Sequence, residues 1–154
     1  MADDKTNNSA WQLAELNLAW LIAPIDSPQL TSFVDQLDTI NGLAEQSPGF
    51  VWRWIDENGN PSNCGFDDDL IVNISVWDDI DSLFEFTYKT AHSGVMRDRK
   101  QWFKSMAEAS MVLWWVPAGH QPSAEESRQR LQLLQSLGPT ASAFTFKSRF
   151  DVPS

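Results

Sequence analysis

His92 is the residue whose neighbours most clearly suggest chemistry. It follows Tyr88 by four residues and Phe84 by eight, so the three side chains share one face of a predicted helix. An imidazole there could act as a general base near neutral pH or ligate haem iron. It could also be a structural histidine, hydrogen-bonded where a helix meets a sheet. The other histidine, His120, lies in the turn-like run PAGHQP, where a bond to local backbone is the simpler interpretation.

Three polar residues lie inside segments that otherwise have the pattern of strands. Asn17 occurs in LAELNLAWLIA, and Asn73 and Ser75 alternate with aliphatic residues in IVNISVW. Their amide and hydroxyl groups could orient a carbonyl, a phenolate or dioxygen in an otherwise apolar pocket. The alternative is hydrogen bonding to solvent or across a dimer interface.

The aromatic content is unusual, with eight Trp and nine Phe against one Tyr in 154 residues. Some of these indoles could stack on a planar ligand, although core or interface packing is their usual role. Trp114 and Trp115 are neighbours on a predicted strand and must point to opposite faces, so at most one lines a given pocket. The predicted site has His92 and Asn17 as catalytic residues, and as ligand-binding residues Trp77, Asn73, Ser75, Tyr88, Trp52 and Trp54.

Charge and cysteine content exclude several classes of protein. Eleven Lys and Arg against 21 Asp and Glu give a net charge of −10, which disfavours nucleic acid and anionic membranes as partners. The single cysteine, Cys64, excludes an intrachain disulfide and a multi-cysteine zinc site, and no metal is predicted unless His92 binds haem. No apolar run is long enough to span a membrane. With a polar, acidic N-terminus, these features predict a cytoplasmic protein.

The only cluster of basic residues lies in and after the second predicted helix. A solvated helix face or local ion pairs are the more usual role for such a cluster than steering of an anionic substrate. Its members are Arg97, Arg99, Lys100 and Lys104.

The elements that must position these residues are predicted in the order β-α-β-β-α-β, followed by α-β, in one domain over residues 11–150. Residues 1–10 are predicted to be a disordered lead-in and 151–154 a tail. Predicted strands cover 13–23, 50–55, 71–77 and 111–116, with a last strand through Phe144, Phe146 and Phe150.

Capping signals mark where the three helices begin. The predicted caps are Asp26 or Ser27 ahead of Pro28, Asp78 or Asp79, and a capping box from Ser123 to Glu126. Asn41-Gly42 could kink the first helix, and Gly138-Pro139 ends the third.

The predicted fold class is α+β, a ferredoxin-like antiparallel sheet with an added C-terminal helix and strand. The aliphatic side of the third strand, with Val72 and Ile74, is predicted to be the side that the helices cover. The other side, with Asn17 and Trp77, would then be open and would pack against a second copy, leaving a pocket in or beside a homodimer interface. On the second predicted strand, Phe50, Trp52 and Trp54 are expected to share one face.

The runs FVWRW, IVNISVW, LWWVPAGHQP and GPTASAFTF resemble a bacterial family known as domain of unknown function 3291. The resemblance extends from about Trp11 to Phe150 and implies the dimeric α+β barrel superfamily. That family name implies no reaction.

More distantly, the first six elements are similar to antibiotic-biosynthesis-type and haem-degrading monooxygenases. Those enzymes have an Asn on the first strand and a Trp at the end of the third, and the haem enzymes have a His on the next helix. Asn17, Trp77 and His92 occupy those elements here. The resemblance implies monooxygenase-like oxidation of a planar aromatic compound, either cofactor-free or with haem on His92. The alternative is a non-catalytic dimeric binding or accessory module whose Trp-rich face is only an interface.

Overall fold

The computed structural model describes residues 10–24, 26–54, 70–91, 102–104 and 110–153. Almost all of the predicted lead-in, residues 1–10, therefore lies outside the described residues, as does His92. The elements are β1 Trp11–Trp20, α1 Thr31–Glu45, β2 Phe50–Arg53, β3 Leu70–Trp77, α2 Ile80–Ala91, β4 Met111–Pro117 and α3 Ala124–Leu137. None of the helices in this described part of the chain has the length and apolar character of a membrane span.

The four strands form one antiparallel sheet in the order β2-β3-β1-β4. β1 is central and pairs with β3 from Leu13–Trp77 to Trp20–Leu70, and with β4 on its other side. This order, with α1 and α2 as connections, is the ferredoxin-like βαββαβ arrangement, and α3 follows it. The predicted α+β fold class and antiparallel sheet are confirmed.

Helices α2 and α3 begin where the capping signals predicted. The Asp79 carboxylate accepts a hydrogen bond of 2.8 Å from the backbone N–H of Ser82, and the Ser123 hydroxyl oxygen accepts one of 3.0 Å from the N–H of Glu126. Both bonds satisfy N–H groups that have no partner inside the helix.

Glycine leaves α1 unbroken at Gly42 but ends α3 at Gly138. Helix α1 continues through Asn41-Gly42 without a break. Helix α3 ends at Gly138, which has a φ of 77° and donates its N–H to the carbonyl of Leu134 at 2.9 Å. The left-handed backbone there suits a residue without a side chain.

The structure reverses the predicted assignment of the two sheet faces. Helices α1 and α2 pack on the side of Leu13 and Trp77, which we call the helix face, through Ala44, Ile80 and Leu83. The aliphatic side packs instead against α3 and is lined by Leu16, Val72, Ile74, Val76, Trp114, Leu131 and Leu134. Because helices cover both faces of the sheet, the more aliphatic composition of one face does not indicate that α1 and α2 pack there.

The expectation that Phe50, Trp52 and Trp54 share one face was also wrong. Phe50 pairs with Trp77 whereas Trp52 pairs with the preceding residue, Val76, so β2 contains a bulge between them. One extra residue reverses the direction of the side chains that follow it. Phe50 therefore meets Trp77 edge-on, at 5.4 Å between ring centroids, on the helix face, while Trp52 and Trp54 pack on the aliphatic side.

The predicted last strand is reduced to a single bridging pair. Phe144 and Leu113 exchange both backbone hydrogen bonds, at 2.8 and 2.9 Å, on the side of β4 away from β1. Beyond that pair, Phe146 and Phe150 pack their rings against the core, and the Trp115 indole donates to the carbonyl of Phe150 at 2.9 Å. Side-chain packing holds this segment without a continuous strand ladder.

Candidate active site

Three pairs of residues across β1 and β3 form the candidate site on the helix face. The sheet register places Leu13 opposite Trp77, Glu15 opposite Ser75, and Asn17 opposite Asn73. The side chains at alternate positions of each strand point to the same side. Trp77, Glu15 and Ser75 are buried, at 1%, 5% and 4% exposure, whereas the two asparagines are exposed. Along the three pairs the face therefore changes from a buried apolar pair, through a buried polar pair, to an exposed pair of amides.

A chain of hydrogen bonds links Trp77, Ser75 and Glu15. The Trp77 indole donates its Nε1–H to the Ser75 oxygen at 3.0 Å, and Ser75 Oγ donates to Oε1 of Glu15 at 2.7 Å. An indole nitrogen can only donate, so the serine oxygen must accept there and its one hydrogen is available for Glu15. The direction of both bonds follows from this chemistry.

The Glu15 carboxyl is buried without a cation beside it in the described part of the chain. Arg53 pairs with Ser75 in the sheet, but its guanidinium binds Glu45 at 2.8 Å. Burial raises the pKa of Glu15 to about 7, and the hydrogen bond from Ser75 offsets part of that rise. A carboxyl with such a pKa can both accept and release a proton near neutral pH.

Aromatic rings fix Trp77 in place. Its ring stacks on Phe86 of α2 with centroids 5.3 Å apart and meets the edge of Phe50. Because Trp77 is almost fully covered, its described role is to hold Ser75, and the prediction that it binds a ligand stays a prediction.

The structure brings four of the predicted site residues together and separates others from them. Asn17, Asn73, Ser75 and Trp77 lie side by side on β1 and β3. The two indoles predicted to bind ligand, Trp52 and Trp54, lie on the opposite side of the sheet, and Tyr88 is exposed on α2.

Glu15 is not among the site residues predicted from the sequence. It is two residues from Asn17 on β1, so both side chains point to the same side of the sheet, and it lies between the buried residues Ala14 and Leu16. A carboxyl in a central strand with buried neighbours on both sides is rare unless it is paired or functional. That signal was present in the run LAELNL.

A second polar cluster joins the turn after β4 to α3. Oε2 of Glu126 accepts a bond of 3.0 Å from the Trp114 indole, and Oε1 lies 2.7 Å from Nε2 of His120. Burial alone would raise the pKa of Glu126, but the bonds from His120 and Trp114, with the charges of His120 and Arg130, lower it overall. With both oxygens engaged, this carboxylate secures α3 against the sheet.

The model of the family described as Domain of unknown function (DUF3291) matches residues 12–154. The chain belongs to the DUF3291 family. The family predicted from the sequence is thereby confirmed, and no curated protein matches this DUF3291 chain significantly.

Three solved structures are similar to this DUF3291 chain. SnoaB, a cofactor-independent oxygenase from Streptomyces nogalater, is 16% identical over 71% of this chain and 95% of its own, with a TM-score of 0.45. NE2512, a protein of unknown function from Nitrosomonas europaea, is 13% identical over 75% and 98%, with a TM-score of 0.47. A monooxygenase from the gene ActVA-Orf6 of Streptomyces coelicolor, in complex with nanaomycin D, is 12% identical over 77% and 99%, with a TM-score of 0.43.

Proposed function

We propose that this protein is a monooxygenase-like enzyme that binds a planar aromatic compound on the helix face, over Asn17 and Asn73. The observation that supports this is the exposed pair of amides directly opposite each other on the two central strands. Elsewhere on these strands the same face is buried or half-buried, so the amide pair is the part of this face that a ligand could reach. Half-buried apolar side chains flank it, with Met111 opposite Asn17 on β4 and Ile71 two residues from Asn73. A few polar groups on an apolar floor are typical of small-molecule sites.

The amide pair suits a ligand oxygen that gains negative charge during reaction. Both side chains carry N–H donors, and donors fixed on a rigid sheet stabilise an enolate or phenolate oxygen as it develops. In the cofactor-free version of the reaction, an activated methylene of the ligand loses a proton. The resulting carbanion reduces dioxygen and forms a C–O bond, and the hydroperoxide loses water to leave a ketone. One dioxygen is consumed, one of its atoms enters the product, and the other leaves as water.

Oxidation of 1,8-dihydroxyanthrone tests this proposal, since its product absorbs visible light and its dioxygen use is measured directly. Replacing Asn17 or Asn73 by Ala is expected to lower kcat/KM by about 100-fold, the usual effect of removing one oxyanion donor. Gln132→Ala, an exposed amide on α3, is the matched control and should retain full activity. No dioxygen uptake above buffer, together with no change in tryptophan fluorescence on adding the anthrone, would contradict the proposal.

A haem-dependent version of this function would use His92 as the axial ligand. Among the described residues the one imidazole is that of His120, which is held by Glu126, so these residues supply no haem ligand. Adding hemin to the purified protein tests this version. A Soret shift that His92→Ala abolishes would support it, and no shift in the wild type would exclude it.

The alternative, a non-catalytic dimeric module, finds support on the other side of the sheet. Trp20, Trp52 and Trp54 pack against the core there and remain partly exposed. If they form an interface, Trp52→Ala should convert a dimer into a monomer in light scattering, and under this alternative the wild type should oxidise no anthrone. A wild-type monomer at micromolar concentration would contradict this alternative.

A further inference from the structure

We propose that Glu15 is the proton acceptor of the site on the helix face, with Ser75 and Trp77 as the positioning residues that hold its carboxyl. The inference rests on the proposed function, because it assigns the group that takes the proton from the bound ligand.

Apart from the hydrogen bond from Ser75, the surroundings of Glu15 are apolar. Next to it on β4 lies Leu113 and on β3 the neutral Ser75. The cluster packed against this part of the face is apolar and comprises Leu13, Ala44, Trp77, Ile80, Leu83, Leu113 and Phe144. Burying an ionised carboxyl in such a place opposes folding unless a cation compensates.

Both cations on α1, α2 and β2, Arg53 and Lys89, are engaged elsewhere, and the other charged groups of these elements are carboxyls. Arg53 on β2 binds Glu45 at the end of α1, at 2.8 Å. Lys89 and Glu85 on α2 face each other at 3.9 Å, with both side chains largely exposed. At the start of α2, Asp79 caps the helix and Asp81 binds Arg149 at 3.1 Å. Glu15 is thus a buried carboxyl that the described residues leave without a charged partner.

The position of Glu15 fits the transfer of a proton from a ligand above the amides. Along β1 it is two residues from Asn17, and along β3 its partner Ser75 is two residues from Asn73, on the same side of the sheet. Two strand residues span about 7 Å, so a planar ligand that extends from the amides towards Ser75 would bring its reacting carbon within reach of the carboxyl. Packing of Trp77 between Phe50 and Phe86 fixes Ser75, and Ser75 fixes the carboxyl.

The proton-transfer step is balanced without any further reagent. The ligand's activated C–H bond breaks, its proton forms an O–H bond on the Glu15 carboxylate, and its electron pair stays on the ligand as an enolate. The enolate oxygen accepts hydrogen bonds from the Asn17 and Asn73 amides. Because burial places the pKa of Glu15 at about 7, the carboxylate is available as a base at neutral pH and the acid can later return the proton.

The test measures anthrone oxidation by dioxygen uptake between about pH 5 and pH 9, with the buffer rate subtracted. In the wild type, kcat/KM is expected to rise with pH through the neutral range. Glu15→Gln should lower kcat by about 100-fold or more and abolish that rise, since removing a general base typically costs this much. Ser75→Ala should keep activity at high pH but move the rise to higher pH, because the lost hydrogen bond stabilised the carboxylate.

Two further variants make the outcome decisive. Glu85→Gln, an exposed carboxyl on α2, is the matched control and should leave the profile unchanged. Glu15→Asp keeps a carboxyl and serves if the glutamine variant does not fold; it should retain a pH-dependent but reduced rate. An active Glu15→Gln protein with the wild-type profile would overturn the role of Glu15 and leave the proposed function intact. A wild type that oxidises no anthrone would overturn both.

Discussion

The hydroxyl of Ser75 donates a hydrogen bond of 2.7 Å to the Glu15 carboxyl, across the register pair that joins the two central strands. This bond holds a titratable group in the middle of the sheet, where a hydrophobic side chain would be expected. The burial that raises its pKa must also appear in the stability of the protein, because a group with different folded and unfolded pKa values makes folding depend on pH.

The first prediction is that Glu15 destabilises the fold as the pH rises. Its folded pKa of about 7 lies above the ordinary glutamate pKa of 4.5, so the folded state binds the proton more tightly. The free energy of unfolding is therefore undiminished at a pH below the pKa of Glu15 in the unfolded state. It falls as the pH rises through the pKa of Glu15 in the folded state. Each pKa unit corresponds to about 1.4 kcal/mol, so the loss above pH 7 is on the order of 3 kcal/mol. Glu15→Gln has no carboxyl at this position and should not show this loss of stability.

Denaturant unfolding at several pH values checks this dependence. The free energy of unfolding of Glu15→Gln, minus that of the wild type, should increase between acidic and mildly alkaline pH. Glu85→Gln, at an exposed position, should show no such increase. A constant difference across the range would mean that Glu15 titrates alike in both states, against the burial seen here.

The second prediction concerns Trp77. Trp77→Phe removes the indole donor and leaves the Ser75 oxygen, which is buried, without that bond. A cost of about 1–3 kcal/mol is expected for the lost bond and the smaller ring. Trp115→Phe is the matched control, because it also loses an indole bond, to the Phe150 carbonyl, on the same side of the sheet. Carbon NMR of labelled glutamate should show an altered Glu15 titration in the first variant and an unaltered one in the second.

The sequence was sufficient to predict the four strands, the three helices and their connections, but not that the expected last strand is a single bridging pair. Alternation marks β1 and β3, a short apolar run marks β4, and side-chain caps at Asp79 and Ser123 mark the starts of two helices. The opposite directions of Trp114 and Trp115 also follow from strand geometry and are confirmed, since the two rings lie in different core clusters.

The side of the sheet that each residue faces depends on tertiary contacts and could not be predicted in the same way. Both faces of β3 carry buried residues, although one of them includes Asn73 and Ser75, so periodicity does not tell which face α1 and α2 cover. The bulge after Phe50 adds one residue to β2 and moves Trp52 and Trp54 away from the site, and no local signal in FVWRW marks it. The partner of Glu15, Ser75, is 60 residues away in sequence, so their contact becomes visible only when β1 and β3 pair.

The third prediction concerns the carboxylate that secures α3. The folded pKa of Glu126 is lowered, so the stability it contributes is present above its unfolded pKa and is lost as the pH falls through the folded value. Unfolding of the wild type should therefore become easier on acidification in that range, and Glu126→Gln should show a weaker dependence. Glu125→Gln is a suitable control, since Glu125 is exposed and pairs with Arg128 on the helix surface. Equal acid sensitivity in the wild type and Glu126→Gln would contradict this role.

The fourth prediction concerns Gly49, which lies in the turn between α1 and β2. Its φ is 85°, its carbonyl accepts the Asp78 N–H at 2.7 Å, and an added methyl would overlap Oγ and Cβ of Ser82. Gly119 has a similar φ of 90° but open space around it, so Gly119→Ala measures backbone strain alone, about 1 kcal/mol. Gly49→Ala adds the overlap and should cost about 3 kcal/mol or more in unfolding free energy. In the double variant with Ser82→Gly, the part of this loss that comes from the overlap should be recovered. If the losses in unfolding free energy of the two single variants simply add, the close approach to α2 is not what requires glycine.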